Sequence, residues 1–232
     1  MDAWKNKIEE NLLAFYREMV EVCRRCGREE DEINILFATK YLTGEELALF
    51  INLYQQLRGG IVTIGENRVQ EALSKFNFIE REHSGLVGQF RKIMIGTLQR
   101  NKINKALTVF DEIHSVDSIE LAGAINRRAF RVIPVFLEVN VSGEKTKQGI
   151  KMDEADGIIK SIKKLNHIEL KGLMTMAPET ENREVIRKIF RRLRQLADQY
   201  DLLTSMGMSH DWQEAVMEGS EMIRIGSRIF QI

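Results

Sequence analysis

Hydrophobic and polar positions alternate along this chain with two different periods. Short apolar runs of strand length are separated by longer segments whose apolar residues recur every three or four positions, as on one face of a helix. Eight runs are strand candidates: ILFAT, IVTIG, KIMIG, EIHSV, VIPVFLEVNV, IELKGLMTM, LLTSMGM and EMIRIG. Strands that alternate with helices pair in parallel through crossover connections, so the pattern predicts an α/β protein.

The helical segments give this prediction its detail. A first helix is predicted over residues 3–26, ahead of the first strand, with an apolar stripe of Leu12, Phe15, Met19 and Val22. A second begins at the capping box of Thr43 and Glu46, and another covers residues 184–200. Eight β/α units in a chain of this length fit a (β/α)8 TIM barrel better than an open sheet. We find no Pro/Gly-rich linker, so residues 1–232 are predicted to be a single barrel domain with an extra N-terminal helix.

Composition excludes several classes of function. Lys plus Arg and Asp plus Glu both number 34, so the formal charge is zero and nothing favours nucleic acid. No apolar run reaches the length of a membrane span, and the amphipathic, charged N-terminus is unlike a signal peptide, so we expect a cytoplasmic protein without a membrane partner. Cys23 and Cys26 form a lone C-x-x-C, and the four histidines are scattered, so no metal site is predicted.

The run ILFATK ends on a lysine, which is unusual for a buried strand. Because side chains alternate along a strand, Leu36, Ala38 and Lys40 share one face, and the bulkier face with Phe37 should pack against helices. Lys40 is therefore predicted to lie at the C-terminal mouth of the barrel, where catalytic groups of this fold are found. The same alternation points Arg224, Glu138 and Asn140 into the barrel.

A lysine in this place has a specific chemistry. Its neutral amine forms a Schiff base with a carbonyl compound, and a dry, cationic neighbourhood, to which Arg224 would contribute, favours the neutral form. The turns after the last two strands, SMGMS and IRIGS, carry small residues that let backbone N–H groups approach a phosphate. A phosphorylated carbonyl compound fits both ends of such a site. Pyridoxal 5′-phosphate (PLP) is one such compound, and a sugar phosphate is another.

Many short motifs resemble one family in order and spacing. They are Ala38-Thr39-Lys40, Gly65-Glu66-Asn67, Val69-Gln70-Glu71, Ile95-Gly96, His114-Ser115-Val116-Asp117, Leu137-Glu138-Val139-Asn140, Gly172-Leu173-Met174-Thr175, Met206-Gly207-Met208-Ser209 and Arg224-Ile225-Gly226. Together they resemble the pyridoxal phosphate homeostasis proteins, also called proline synthetase co-transcribed homologues, from about Ile33 to Phe230. This resemblance implies a barrel like the N-terminal domain of alanine racemases, with PLP as the cofactor.

The resemblance also implies roles for particular residues. Lys40 would form the Schiff base, Arg224 would face the pyridine nitrogen, and Asn67 would line the pocket. The phosphate would be held by Ser209, Gly226 and Ser227. A fixed positive charge opposite the ring nitrogen disfavours its protonation, which makes the ring a weaker electron sink.

The function implied is that of a holder. The family is expected to take part in intracellular PLP (vitamin B6) homeostasis, supplying or buffering the cofactor without catalysing a reaction, with PLP-dependent apo-enzymes as partners. We expect a monomer. Alanine racemases add a second domain with a tyrosine base, which we do not expect here. Two alternatives stay open: a PLP-dependent enzyme such as a weak amino-acid racemase or transaminase, and a cofactor-free Schiff-base aldolase acting on a sugar phosphate.

Simpler structural explanations exist for each candidate. Lys40 could be a solvated rim lysine, Arg224 could form an ion pair with Glu138, and Ser209 and Ser227 could cap helices. Lys147 is a second amine in a charged loop.

The sequence also departs from the family pattern. Position 68 is Arg where Tyr is usual, and Lys92-Ile93-Met94 replaces a Trp-His-Phe run. Both departures are predicted to lie near the barrel mouth.

Overall fold

The computed structural model describes residues 2–144 and 147–231 of the chain. The described residues form a closed barrel of eight parallel strands, as the alternation of short apolar runs and helical segments predicted. The described residues contain these eight strands and one short additional strand, β6: β1 Asn34–Ala38, β2 Val62–Glu66, β3 Phe90–Met94, β4 Glu112–Val116, β5 Ile133–Asn140, β6 Ile150–Lys151, β7 Ile168–Met174, β8 Leu203–Ser205 and β9 Met222–Ile225.

The barrel closes through pairing of the first strand with the last. β1 lies between β2 and β9, with Phe37 opposite Ile64 on one side and Leu36 opposite Arg224 on the other. Pairing then continues from β2 through β3, β4 and β5 to β7, β8 and β9. β6 pairs only with the end of β5, outside this ring. The sequence did not predict β6, because two residues are too few to show a period.

Helices cover the outside of the barrel. They are α1 Asp2–Cys26, α2 Gly44–Leu57, α3 Val69–Glu82, α4 Ile103–Val109, α5 Ile119–Arg128, α6 Ala155–Ile162, α7 Arg183–Asp198, α8 Trp212–Met217 and α9 Ser227–Phe230, with short 3-10 turns at Glu30–Glu32, Ser84–Leu86 and Arg100–Lys102. The predicted capping box is present, since Thr43 and Glu46 each bond to the other's backbone N–H. No described helix combines the length and apolarity that would cross a membrane.

The extra N-terminal helix is confirmed. The buried stripe of α1 contains all four predicted residues together with Ile8, Tyr16 and Cys23. Phe15 packs edge-on against Trp212 of α8, with 5.2 Å between ring centroids. α1 thus covers the apolar surface of the last β/α units, where α8 and α9 are too short to do so alone.

Strand alternation sorts the core into two clusters. Phe37, Ile223 and Ile225 belong to the large cluster between strands and helices, whereas Leu36, Ile93 and Met222 form a small cluster in the barrel interior. Both assignments follow the predicted faces of β1 and β9. The prediction for Asn140 is wrong, because its amide nitrogen donates to the carbonyls of Glu144 and Lys147 and so organises the loop after β5.

The turn after β8 depends on a glycine. Gly207 has a φ of +93°, and a Cβ built there would lie 2.5 Å from the Cβ of Ala215. Its carbonyl accepts a hydrogen bond from the N–H of Arg224, 2.9 Å away. The turn therefore ties α8 to the strand that carries a candidate site residue.

Replacing Gly207 with alanine is expected to lower the free energy of unfolding by about 2–3 kcal/mol, since it combines backbone strain with overlap. Gly27→Ala is the matched control, because Gly27 also has a positive φ of +67° but no atom within 4 Å of the added Cβ. It should cost only about 1 kcal/mol. Urea denaturation of both variants checks this, and equal losses would contradict the role of the Ala215 contact.

Candidate functional site

A cavity of about 300 Å³ opens at the C-terminal ends of the barrel strands. All six candidate residues line it: Lys40, Asn67, Ser209, Arg224, Gly226 and Ser227. They follow or end β1, β2, β8 and β9, so positions far apart in sequence meet because parallel strands place their carboxyl ends at one face. The remaining wall is formed by Ala38, Tyr41, Ile95, His114, Met174, Met176, Met208 and His210.

Lys40 stands at the rim of this cavity. It comes two residues after the end of β1, is exposed, and has its Nζ 5.0 Å from the centre of the Tyr41 ring. The predicted position at the barrel mouth is confirmed. The expectation of a dry neighbourhood is wrong for the lysine itself, because the strand ends before its side chain reaches the interior.

A buried polar network lies beneath Lys40. The hydroxyl of Thr39 donates to Oε1 of Glu66 at 2.7 Å, and the ammonium of Lys75 donates to the same oxygen at 2.8 Å. Lys75 also donates to the backbone carbonyl of Thr39 at 2.9 Å. Glu66 is only 1% exposed, and its Oε2 has no partner among the described residues. The network thus joins the ends of β1 and β2 directly under Lys40 and Asn67.

Sequence reasoning missed this network. Glu66 was noted only as part of the Gly65-Glu66-Asn67 motif. Lys75 lies on an amphipathic helix, where it looks like any other polar residue. A carboxylate at the end of an otherwise apolar strand was the available signal. Its partner on α3 is decided by helix packing, which no local pattern reveals.

Arg224 is held rigidly inside the barrel. Its Nη1 donates to the carbonyl and hydroxyl oxygens of Ser205 at 2.7 and 2.9 Å, and its Nη2 donates to the carbonyl of Thr175 at 2.9 Å. Burial lowers the pKa of its guanidinium, and the charges of Asp211 and Glu138 partly offset this. Within the described residues Arg224 makes no ion pair with Glu138, so that alternative is wrong.

The turns after β8 and β9 meet at Ser209. Its Oγ accepts hydrogen bonds from the N–H groups of Gly226 and Arg228, at 3.2 and 3.3 Å. A Cβ at Gly226 would lie 3.1 Å from the Cβ of Ala38, so the absence of a side chain keeps this corner of the cavity open. Converging N–H groups and hydroxyls are donors suited to an anion such as phosphate. The simple helix-cap reading is wrong for Ser227, which is the first residue of α9, after a glycine N-cap.

Comparison with known proteins adds to this geometry. The family model of the alanine racemase N-terminal domain matches residues 48–232, a range that begins after Lys40. A pyridoxal phosphate homeostasis protein of Aquifex aeolicus (strain VF5) is 36% identical over 231 residues, which cover 95% of this chain and 96% of that protein. The chain belongs to the pyridoxal phosphate homeostasis protein family. A member from Escherichia coli (strain K12) is 34% identical over 236 residues, covering 97% of this chain and 96% of that protein.

Solved structures agree with the family assignment. An unknown protein from Bifidobacterium adolescentis has a TM-score of 0.89 and 34% identity, covering 99% of this chain and 97% of that one. PipY of Synechococcus elongatus PCC7942, solved with PLP bound, has a TM-score of 0.77 and 28% identity, with coverage of 96% and 99%. An alanine racemase of Clostridium difficile 630 shares only the fold, at 16% identity and a TM-score of 0.67 over 56% of its chain.

One cavity residue of this family member was not predicted. His114 on β4 is fully buried, with its Nε2 3.1 Å from Oε2 of Glu112 and its ring 4.0 Å from that of Phe136. Its Nδ1 has no partner among the described residues. Burial lowers the pKa of the imidazole, so the ring is neutral at neutral pH. The alternation in EIHSV places Glu112 and His114 on one face and was the available signal.

The two departures from the family pattern lie in different places. Arg68 is exposed at the N-terminus of α3, as predicted for the rim, and pairs with Glu71 at 2.8 Å. The prediction for Lys92 is wrong: it is in the middle of β3 and its Nζ lies over the ring of Phe76 on α3, 5.9 Å from the centroid. Ile93 packs in the barrel interior.

The candidate metal-binding side chains lie apart from one another. Across residues 2–144 and 147–231, no three His, Cys, Asp or Glu side chains are grouped as a metal site. Cys23 and Cys26 are both free thiols on α1, and the Cys26 thiol bonds to the carbonyls of Val22 and Cys23. Their contacts are those of helix-packing residues.

Proposed function

We propose that this chain binds PLP in the cavity at the barrel mouth and holds it by a Schiff-base linkage to Lys40. The observation that carries the proposal is the meeting, in one cavity of about 300 Å³, of an amine, a fixed guanidinium and a corner of N–H and hydroxyl groups. Relatives named for PLP homeostasis, and PipY solved with PLP, support it.

The residues present fit this cofactor. PLP supplies an aldehyde for the amine, a phosphate for the anion site and a pyridine ring that withdraws electrons. Ser209, Gly226 and Ser227 would hold the phosphate, because a Cβ at Gly226 would close their corner of the cavity. Asn67 would line the pocket wall. Arg224 would meet the ring nitrogen with a charge that its bonds to Ser205 and Thr175 keep in place.

We propose that the role is to hold and buffer PLP rather than to catalyse a reaction. A racemase or transaminase needs a base fixed across the cofactor from the lysine. Tyr41 and His210 line the cavity, but both are exposed and neither side chain makes a hydrogen bond within the described part of the chain, so nothing fixes them as catalytic bases. His114 lines the cavity too and is held by Glu112, but burial lowers the pKa of its imidazole, which makes it a weak proton acceptor. The fixed charge of Arg224 also weakens the ring as an electron sink.

The wider setting belongs to the same proposal. We propose that residues 1–232 act as one PLP-binding barrel domain, as a cytoplasmic monomer that exchanges cofactor with PLP-dependent apo-enzymes and uses neither nucleic acid nor membrane. The zero net charge supports the proposal that neither nucleic acid nor membrane is a partner. Light scattering during gel filtration tests the monomer, and a PLP-free acceptor enzyme that regains activity only with the loaded chain tests the exchange.

The deciding experiment is spectroscopic. The purified chain is mixed with PLP, its visible absorption is recorded, and borohydride reduction followed by mass spectrometry locates the modified lysine. A yellow protein trapped at Lys40 supports the proposal. A colourless protein that cleaves or condenses sugar phosphates would replace it with the aldolase alternative.

The substitution Arg224→Gln is expected to change the absorption spectrum of bound PLP more than the amount of PLP that is bound. Glutamine retains a donor for the carbonyl of Ser205 or Thr175 but removes the positive charge, so the pKa of the ring nitrogen should rise. When the PLP-loaded protein is titrated with acid, the midpoint of the absorption change should lie about one pH unit or more above that of the parent. The PLP occupancy should stay within about threefold of the parent value. Arg228→Gln is the control, because that side chain pairs with Glu18 away from the cavity. An unchanged spectrum would remove Arg224 from the ring site.

A further inference from the structure

A second depression lies beside the PLP cavity and joins it. This lateral groove, of about 570 Å³, shares Asn67, Ile95 and Met176 with the cavity wall. Its other walls come from the start of α3, the loop after β3, and Glu138 and Gln148. A molecule in the lateral groove would therefore lie next to the site we assign to PLP.

Glu138 is the unusual group in this groove. It is only 4% exposed, yet its carboxylate makes no hydrogen bond or ion pair with any described residue. Native proteins pair their buried charges, so a buried carboxylate that faces an open groove without a partner indicates a site for a cation. Burial raises the pKa of Glu138 to about 7, with Arg224 on β9 lowering it and Asp117, after β4, raising it.

The opposite charge is present in the same groove. Lys102 is half-buried and makes no ion pair within the described ranges. Arg68, the groove's other cation, is already paired with Glu71. Apart from the influence of Arg224, the lateral groove thus offers one carboxylate and one ammonium that have no ion-pair partner among the described residues, and the amide side chains of Gln99 and Gln148 line the same groove. A zwitterion complements both ends, whereas a simple amine or a simple acid complements one.

We propose that the lateral groove binds a free α-amino acid, with its ammonium on Glu138 and its carboxylate on Lys102. This binding needs no cofactor, because both charged ends belong to the chain itself. A lysine side chain of an acceptor protein would present the same ammonium, but it carries no carboxylate for Lys102.

The consequence for PLP rests on the proposed function. Glu138 would take a proton from the ammonium and leave a neutral amine beside the carbon that Lys40 holds. A new C–N bond to the amino acid would form as the C–N bond to Lys40 breaks, with the two hydrogens of the entering nitrogen passing to the lysine nitrogen. No oxidant or reductant is consumed. The groove would thereby let free amino acids release PLP from the chain.

Calorimetry on the PLP-free chain tests binding independently of Lys40. The probes are L-2-aminobutyrate, propylamine, which lacks its carboxylate, and butyrate, which lacks its amine, near pH 8. We expect the amino acid to bind most tightly and butyrate to bind least. Glu138→Gln should lower the affinity for the amino acid by about tenfold or more, since it removes a charge-assisted hydrogen bond. Lys102→Gln should lower the affinity for the amino acid but leave the affinity for propylamine unchanged.

Control and pH arms complete the design. Glu120→Gln removes an exposed carboxylate on α5 and should leave binding unchanged. Because the ionised carboxylate is the binding form, affinity should fall about tenfold from near pH 8 to near pH 6, as expected for a pKa of about 7. The proposal is overturned if the chain gives no binding, if Glu138→Gln binds as well as the parent, or if butyrate matches the amino acid. Equal propylamine and amino-acid affinities would assign the groove to lysine side chains instead.

Discussion

Replacing Lys40 with alanine is expected to abolish the covalent adduct with PLP while leaving the fold unchanged. Lys40 is the one lysine among the described residues that line the cavity, and the nearby ammonium of Lys75 is bonded to Glu66 and Thr39, so no adduct should be trapped by borohydride reduction. Lys40 is exposed, so its removal leaves no cavity and no unpaired buried group, and the free energy of unfolding should change by less than about 0.5 kcal/mol. Intact mass after reduction and a urea denaturation curve measure the two quantities on the same sample.

The matched control for this experiment is Lys147→Ala. Lys147 is the second amine that sequence analysis singled out, and its ammonium donates to the carbonyl of Ala177 at 2.7 Å. Its removal should leave the adduct intact. Loss of the adduct in Lys147→Ala with retention in Lys40→Ala would move the linkage to the loop after β5 and refute the assignment.

Replacing Lys75 with methionine is expected to give a large loss of stability. The substitution leaves Glu66, which is 1% exposed, with a buried charge and only the hydroxyl of Thr39 as partner. Removing one partner of a buried pair typically costs about 3–5 kcal/mol. PLP occupancy should fall as well, because Lys75 also holds the carbonyl of Thr39, the residue before Lys40. Denaturation and cofactor titration measure the two effects.

A double-mutant cycle identifies the cause. Adding Glu66→Gln to Lys75→Met removes the stranded charge and should restore about 1 kcal/mol or more. Lys160→Met is the surface control, since Lys160 and Asp156 form an exposed pair on α6 whose loss should leave the stability nearly unchanged. If Lys75→Met is no more damaging than Lys160→Met, the network beneath Lys40 has no structural importance.

Hydrogen bonds from neighbouring strands and helices fix the two residues that we propose to contact PLP at its two reactive ends. Lys40 is exposed, but the backbone next to it is held by the hydrogen bonds among Thr39, Glu66 and Lys75. Arg224 is clamped by Ser205 and Thr175. Attachment points fixed in this way suit binding, and the buried imidazole in the cavity wall, His114, accepts a proton only weakly because burial lowers its pKa.

The sequence by itself determined the barrel. Its eight short runs and the helices between them needed only the local alternation of apolar and polar residues, and the same alternation placed Leu36 and Phe37 on opposite faces of β1. The six candidate residues were also within its reach, because chemistry at strand ends and a resemblance of motifs pointed to them. Their roles toward PLP stay predictions.

Only the tertiary structure decided the supporting shell. Contacts between elements distant in sequence decide that Glu66 pairs with Lys75, that Ser205 and Thr175 anchor Arg224, and that Glu138 has no partner among the described residues. Asn140 shows the limit most clearly: alternation pointed it inward, but it lies at the end of β5, where loop carbonyls compete for its amide. The alternation of side chains predicts their orientation only within a strand. At the end of a strand the orientation depends on the residues that the tertiary structure places nearby.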